Sequence, residues 1–213
     1  MNGQLSSRQD LSLRLVEAAL EQFGRLGFEG ASTRDIARAS GTAMSSITYH
    51  FGGKQGLYLA CADHIVAVIG EMYAPLVEAI RTDPPRTAET ARMRLLALLE
   101  TFARFLLTPR SADFAQFITR EQQHPTEAFD RLYEGVMRPL IETAIGPMAI
   151  ARPSLDDKTC RALAMNLIGM ALVLRLGRAC VVRTMQVDDL DEDTAEMLVA
   201  GLRRSAETLL TEA

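Results

Sequence analysis

Polar side chains that could bind nucleic acid are concentrated in residues 33–54 of this 213-residue chain. Thr33, Ser46 and Thr48 carry hydroxyl groups, and Lys54 carries an ammonium group. Groups of this kind donate hydrogen bonds to phosphate oxygens, which fixes a protein on a duplex, and hydroxyl groups also bond to base edges. The segment therefore predicts a DNA-contacting surface, provided that these side chains share one exposed face.

Two short helices joined by a glycine turn are predicted to present this surface. Thr33 is the predicted N-cap of the first helix, because its hydroxyl can accept a bond from an unpaired amide of the first turn. Gly41 supplies the backbone freedom for a sharp turn. The second helix, over about residues 43–50, turns Ile47 inward and its polar side chains outward. This pattern favours a helix-turn-helix whose second helix enters the major groove, although an ordinary helical hairpin would share the turn.

The sequence around these helices resembles the TetR family of regulators. The resemblance is carried by residues 14–37 and by the run Tyr49-His50-Phe51-Gly52-Gly53-Lys54-Gln55-Gly56-Leu57, and it covers about residues 10–60. Shorter segments are similar to the CecR subgroup of that family. They are Ile47–Phe51, Leu57–Ala62, Thr119–Gln122 and the pair Pro125-Thr126.

The resemblance implies an all-α, homodimeric, cytoplasmic transcriptional regulator of about nine helices. Residues 1–56 would form the helix-turn-helix domain, and residues 57–213 the effector-binding and dimerisation domain. Such a protein would repress by binding a palindromic operator and would release it when a small, largely apolar effector binds. By resemblance, the residues that face DNA are Thr33, Thr42, Ala43, Met44, Ser45, Ser46, Thr48, Tyr49, His50 and Lys54.

Each DNA-facing position has a physical role available. Thr33, Tyr49, His50 and Lys54 would bond to phosphates, which sets the register without reading sequence. Ser46 and Thr48 could meet base edges, and Ala43 or Met44 could meet a thymine methyl group. Residues 43–50 contain no arginine or glutamine, so strong bidentate contacts to bases are few.

Large apolar side chains in residues 57–213 are candidates for the lining of an effector cavity, which the resemblance implies between the fourth and eighth helices. Simple helical core is the alternative for each of them. Arg120 and His124 could form a polar wall or a solvated helix end. Arg175, within an apolar run, could reach an acid across a dimer seam, a ligand carboxylate or water. The predicted effector-binding residues are Phe102, Phe105, Phe117, Arg120, His124, Met137, Asn166, Met170 and Arg175.

Periodicity predicts further helices over residues 10–27, 54–81, 87–107, 111–123, 126–145, 155–185 and 191–211, with a connector over 146–153. Pro75 is expected to bend or break the long helix. The last two helices are the predicted dimer seam, because they carry long apolar stripes that two protomers could pack into a four-helix bundle. The stripes are Leu163, Leu167, Met170 and Leu174, then Met197, Leu198, Leu202 and Leu209.

Charge and composition narrow the possible functions of the chain. The net charge is −4, yet residues 1–60 hold six basic and five acidic residues, a net of +1, which suits phosphate contact at one end only. Cys61, Cys160 and Cys180 have no metal-type spacing, so no metal or cofactor is expected, and no catalytic arrangement favours an enzyme.

The N-terminus lacks the apolar region of a signal peptide, and no apolar run is long enough to predict a membrane span. An architectural DNA-binding protein without an effector is the alternative function.

Overall fold

The computed structural model describes the backbone of residues 2–211 and the side chains of residues 10–211. The prediction that the N-terminal segment, Met1 to Arg8, is not a signal peptide concerns side chains outside this range. Within it the regular structure is helical throughout, which confirms the predicted fold class. The helices are α1 (Asn2–Gly30), α2 (Thr33–Ala39), α3 (Met44–Phe51), α4 (Lys54–Thr82), α5 (Ala88–Leu107), α6 (Ser111–Gln123), α7 (Glu127–Leu132), α8 (Arg138–Ala151), α9 (Asp157–Leu176), α10 (Arg178–Met185) and α11 (Glu192–Leu210), with a π-helical segment over Tyr133–Met137.

The first compact unit comprises Met1–Ile69 and Asp113–Val136. It contains α1, α2, α3, the first part of α4, most of α6, and α7. Its core is built from large side chains on these helices, and Phe23, Ile36 and Phe117 are each at most 1% exposed. The two short helices of the predicted DNA-contacting segment therefore lie on a packed helical support.

The second compact unit comprises Gly70–Ala112 and Met137–Ala213. Here α5 packs against α8, α9 and α11, and the core between them includes Leu96, Ala103, Met148 and Ala171. The boundary predicted at residue 56 separates a DNA-binding domain from an effector-binding and dimerisation domain, and is therefore a division by function. It stays a prediction, because the two compact units are a division by packing.

Several predicted helix ends are confirmed, and each has a local cause. Gly41 has a φ of 67°, a left-handed conformation that glycine adopts without strain. Thr87 caps α5 in a reciprocal capping box with Thr90, so α5 begins at Ala88. The predicted limits of α6 are also found. The long helix α4 runs to Thr82 and is continuous across Pro75, so Pro75 does not break it, which was one of the two expected effects.

The predicted N-cap at Thr33 is wrong by one residue. Ser32 occupies the N-cap position with extended backbone angles, φ −103° and ψ 126°, and Thr33 is the first helical residue. Serine and threonine are both favourable caps, so the sequence alone did not distinguish two adjacent candidates. The Ser32 hydroxyl makes no capping bond.

The predicted seventh helix over 126–145 is interrupted, and the predicted connector over 146–153 is largely helical. Pro139 has no N–H group to donate, and the chain widens into the π-helical segment just before it. Close packing accompanies this change, because a Cβ added at Gly135 would lie 2.8 Å from a γ-carbon of Val66. α8 then continues through Pro147, where burial of Met148 and Ala151 favours the helix.

The predicted helix over 155–185 is divided at Gly177 into α9 and α10. The Gly177 N–H donates to Val173 O, and a Cβ at this position would lie 2.9 Å from that same oxygen. A side chain at this crowded end would have to displace the backbone. The break therefore follows from the glycine together with the close approach of the preceding turn.

Two helices, α4 and α9, are long and apolar enough to cross a membrane by length and composition, with mean hydropathies of 1.3 and 1.4. The expectation of no membrane span rested on uninterrupted apolar runs, whereas these two helices qualify on their average composition. The core helix of a soluble protein passes the same test, so the two helices are weak indicators of a membrane protein.

Candidate nucleic-acid interface

The second helix of the candidate interface, α3, is anchored by one side chain. Ile47 is its buried residue, at 1% exposure, whereas Met44 and Tyr49 are 57% and 69% exposed. Ser45 and Thr48 are exposed as well. Large apolar and aromatic groups of this kind, left in contact with water beside hydroxyl groups, form a surface suited to an amphipathic partner such as a DNA groove.

The turn before α3 is held by short-range hydrogen bonds. The Thr42 N–H donates to Ala37 O at 2.9 Å, and the Ser40 hydroxyl donates to the same carbonyl at 3.1 Å. The Thr42 and Ser46 hydroxyls lie 3.0 Å apart and share a hydrogen bond. Both hydroxyls are half-buried, so part of their bonding capacity is used in fixing the turn.

His50 near the end of α3 and Lys54 at the start of α4 both contact α1. The Nδ1 atom of His50 lies 3.4 Å from Ser12 Oγ, and its ring meets that of Tyr49 edge-on. Lys54 Nζ donates to Glu29 O at 3.4 Å and lies 4.7 Å from the centroid of the Phe28 ring. The ammonium group is therefore positioned beside the α1 C-terminus, and it retains donors for a phosphate.

All ten predicted DNA-facing residues are exposed or half-buried, which leaves each accessible to a duplex. Their contact with DNA stays a prediction. The bond between Ser12 and His50 was not foreseen from the sequence, because 38 residues separate the two and no local pattern relates them.

The nine predicted effector-binding residues are divided between the compact units. Phe117, Arg120 and His124 belong to the first unit, and the other six belong to the second. Phe117 is fully buried, and its ring centroid lies 4.7 Å from that of Tyr58. His124 and Asn166 are exposed. The six residues of the second unit are Phe102, Phe105, Met137, Asn166, Met170 and Arg175.

Both predicted effector-site arginines donate to backbone carbonyls. Arg120 Nε and Nη2 donate to Gly24 O and Arg25 O. Arg175 Nε donates to Leu106 O at 2.7 Å, and its Nη2 donates to Thr108 O. Burial, followed by the nearby positive charge of Arg178, lowers the pKa of Arg175. The partner of Arg175 in the folded chain is thus the end of α5, and neither an acid, a ligand nor water is needed to satisfy its Nε.

Cys61 is fully buried, and its thiol is bonded within the chain. The Cys61 thiol donates to Val16 O, and burial raises the pKa of that thiol. No group of three or more histidine, cysteine, aspartate or glutamate side chains within residues 10–211 is arranged to hold a metal ion.

Comparison with known families agrees with the surface just described. The family "Bacterial regulatory proteins, tetR family" matches residues 15–61, and "HTH-type transcriptional dual regulator CecR, C-terminal domain" matches residues 91–212. The chain belongs to the TetR family. Its C-terminal part is of the CecR type, and this TetR-family protein is a DNA-binding transcriptional regulator.

Individual relatives extend the similarity over most of the chain. The dual regulator CecR of Shigella flexneri is 32% identical over 190 residues, covering 87% of this chain and 84% of its own. The regulatory protein RaaS of Mycobacterium tuberculosis is 30% identical over 140 residues, covering 65% and 63%. These relatives are regulators rather than enzymes.

A solved structure shares the fold. The transcriptional regulator FadR from Bacillus subtilis, in complex with stearoyl-CoA, superposes with a TM-score of 0.63 at 19% identity, covering 94% of this chain and 97% of that one. At this identity the likeness concerns the fold alone.

Proposed function

We propose that this TetR-family regulator is a ligand-responsive repressor. It binds a palindromic operator as a homodimer, and a small, largely apolar effector releases it. The observation that carries the proposal is the presence, on one chain, of an exposed α3 surface in the first unit and exposed apolar side chains on α9 and α11 in the second. Because regulators of this kind act on DNA, we propose a cytoplasmic location.

The dimer seam is proposed on the exposed apolar faces of α9 and α11. Met165, Val173 and Leu176 of α9 are 55%, 50% and 56% exposed, and Met197 of α11 is 61% exposed. An apolar surface of this kind on a soluble chain favours a protein partner, and a second copy supplies two matching helices for a four-helix bundle. A dimer seam would also explain why α9 is apolar without placing it in a membrane.

Apart from Met197, the residues of the predicted stripes are not part of the proposed contact. Leu163, Leu167 and Leu174 are buried in the protomer's own core, and Leu198 and Leu202 pack against that core. The strongest periodic stripe of a helix faces its own domain. The seam is therefore proposed on the weaker, opposite faces of the same segment, residues 155–211.

The effector site is proposed in the second unit. Phe102 and Met170 are half-buried and pack against the edge of the core. Phe105 and Met137 are likewise half-buried. Side chains in this position can repack around a varied apolar ligand at little cost, which suits an adaptable pocket. The FadR structure contains stearoyl-CoA, so long-chain acyl compounds are a rational first class of probe.

The proposed mechanism is a shift between two populations of the dimer. The DNA-competent state holds two α3 helices at the spacing of successive major grooves, about one helical turn apart. An effector with higher affinity for another state depletes the competent one. A decisive shift requires a difference of roughly 5.5 kcal/mol between its affinities for the two states.

Three measurements on the full chain test this function. Selection from a random duplex pool should recover a palindrome, and light scattering should give the mass of a dimer. Thermal-shift screening, with acyl compounds included, should then find ligands that raise the melting temperature and weaken operator binding. A protein that binds DNA but responds to no ligand would instead be an architectural DNA-binding protein. Failure to bind any duplex would contradict both functions.

A further inference from the structure

The end of α1 is held by an arginine from α6. The backbone of α1 bends at Gly27, where φ is 75°, and the last carbonyls before a helix end lack partners within the helix. Arg120 Nε donates to Gly24 O at 2.6 Å, and its Nη2 donates to Arg25 O at 2.7 Å. The planar guanidinium thus caps two successive carbonyls in a forked geometry that a lysine could not reproduce.

Glycines allow this close approach. A Cβ added at Gly24 would lie 3.1 Å from the Cβ of Gln116, and one at Gly27 would lie 3.1 Å from Arg120 Nη1. Contacts of this length leave little room for a side chain, so α1 and α6 meet with their backbones near each other. The bonds of Arg120 are consequently short and fixed in direction.

The next residue of α6 holds the beginning of α4. The Glu121 carboxylate is 2% exposed and accepts the Tyr58 hydroxyl at 2.5 Å. It also accepts the Thr126 N–H at 3.1 Å and the Thr126 hydroxyl at 2.8 Å. A buried carboxylate needs such donors to offset its lost hydration. Burial and the bond to Glu121 raise the pKa of Tyr58, so its phenol remains the proton donor.

An aromatic cluster fills the space between these two sets of bonds. The Tyr58 ring centroid lies 4.9 Å from that of Phe23, 5.1 Å from that of Phe28 and 4.7 Å from that of Phe117. Apolar packing supplies the attraction, but it tolerates small sliding movements. Directional hydrogen bonds to charged groups select one arrangement among those that packing alone would accept.

We propose that Arg120 and Glu121 are positioning residues for operator binding. Their hydrogen bonds go to α1, to α4 and to the N-cap residue of α7, and α4 follows the recognition helix α3 after only Gly52 and Gly53. Fixing α1 and α4 from α6 therefore sets the direction in which α3 is presented. This role rests on DNA binding, which family membership establishes, and requires neither the proposed effector nor its site.

The test uses the full-length chain and an operator selected by the wild-type protein from a random duplex pool. Arg120→Gln removes the fork, and Tyr58→Phe removes one bond to Glu121 while keeping the aromatic ring. Arg131→Gln is the matched control for loss of an arginine: its ion pairs with Asp63 of α4 and Glu127 of α7 are solvent-exposed, and exposed pairs contribute little to fixing helices. Fluorescence anisotropy would give Kd for operator and random duplexes at several salt concentrations. Stoichiometric titration would give the active fraction.

We expect Arg120→Gln and Tyr58→Phe each to weaken operator binding by about tenfold, because every molecule then exchanges between presentations of α3 and spends less time in the competent one. The active fraction and the salt dependence should be unchanged, and Arg131→Gln should stay within about twofold of the wild type. A slope of log Kd against log salt reduced by about 0.9 would make Arg120 a phosphate contact and overturn the proposal. Unchanged affinity, or a smaller active fraction with an unchanged Kd, would also overturn it.

Discussion

Substitution of Ile47 should separate the support of the recognition helix from its contacts with DNA. α3 has eight residues, which is too short for a helix to persist alone in water. Ile47 is its one buried residue and is 1% exposed. The helix therefore depends on this anchor, whereas Ser45 on its outer face contributes nothing to the core.

The expected magnitude follows from the burial of the side chain. Replacing a fully buried isoleucine by alanine costs about 2–5 kcal/mol, and replacing it by valine costs about 0.5–1.5 kcal/mol. If this loss of stability affects only the folding of α3, a smaller fraction of molecules has α3 folded. The affinity for any duplex then falls in proportion to that fraction. Ile47→Ala should therefore weaken operator and random DNA alike, and Ile47→Val should have a graded, smaller effect.

Three measurements check this reasoning. Urea denaturation followed by circular dichroism gives the free energy of global unfolding, hydrogen exchange of residues 44–51 reports the opening of α3, and anisotropy gives Kd for DNA. The control Ser45→Ala should leave both stabilities within about 0.5 kcal/mol of the wild type. If Ile47→Ala changed neither the global stability nor the exchange of α3 amides, Ile47 would not be the anchor.

Three further substitutions address DNA contact and assembly. Lys54→Ala should weaken binding to all duplexes and reduce the slope of log Kd against log salt by about 0.9, as for one lost phosphate contact; an unchanged slope would refute that contact. Thr48→Ala should alter which operators are selected, at about 1–3 kcal/mol for one base pair, and equal losses on random DNA would exclude base reading. Met197→Arg should give monomers by light scattering, because the dimer would bury an unpaired charge at a cost of several kcal/mol. The control Met93→Arg changes an equally exposed methionine of α5, at 61%, and should remain dimeric.

Helix limits were predictable where a local signal exists. Thr87 marks the start of α5 through its capping bond with Thr90, and Gly41 marks the turn before the recognition helix through its positive φ. These signals act between residues at most four apart, so they can be seen in the sequence. The recognition helix was predicted for the same reason, since its single inward residue and its hydroxyl groups occupy consecutive positions.

The remaining errors arose where distant packing decides the local structure. Pro147 predicted a connector, but the burial of Met148 keeps the chain helical through it. The stripe containing Leu167 predicted a dimer face, although that stripe packs inside its own protomer. Periodicity shows that a helix has an apolar face; it does not show whether the neighbour across that face is the same chain or a second copy.

The partners of several arginines also could not be predicted from the sequence, and in the structure they are of one kind. Arg120, Arg152 and Arg175 each donate to carbonyl oxygens near the C-terminal end of another helix: α1, α11 and α5 respectively. A helix end concentrates unpaired carbonyls and partial negative charge, so a guanidinium is satisfied there without a carboxylate partner.

The partners of Arg120 and Arg175 lie 96 and 69 residues away, which is why no spacing rule revealed them. An arginine within an apolar helix therefore did not require a ligand or a second subunit in this chain. It joins helices that are far apart in the sequence. In the first unit, the helix joined in this way is α1, which packs against the helix-turn-helix through α2.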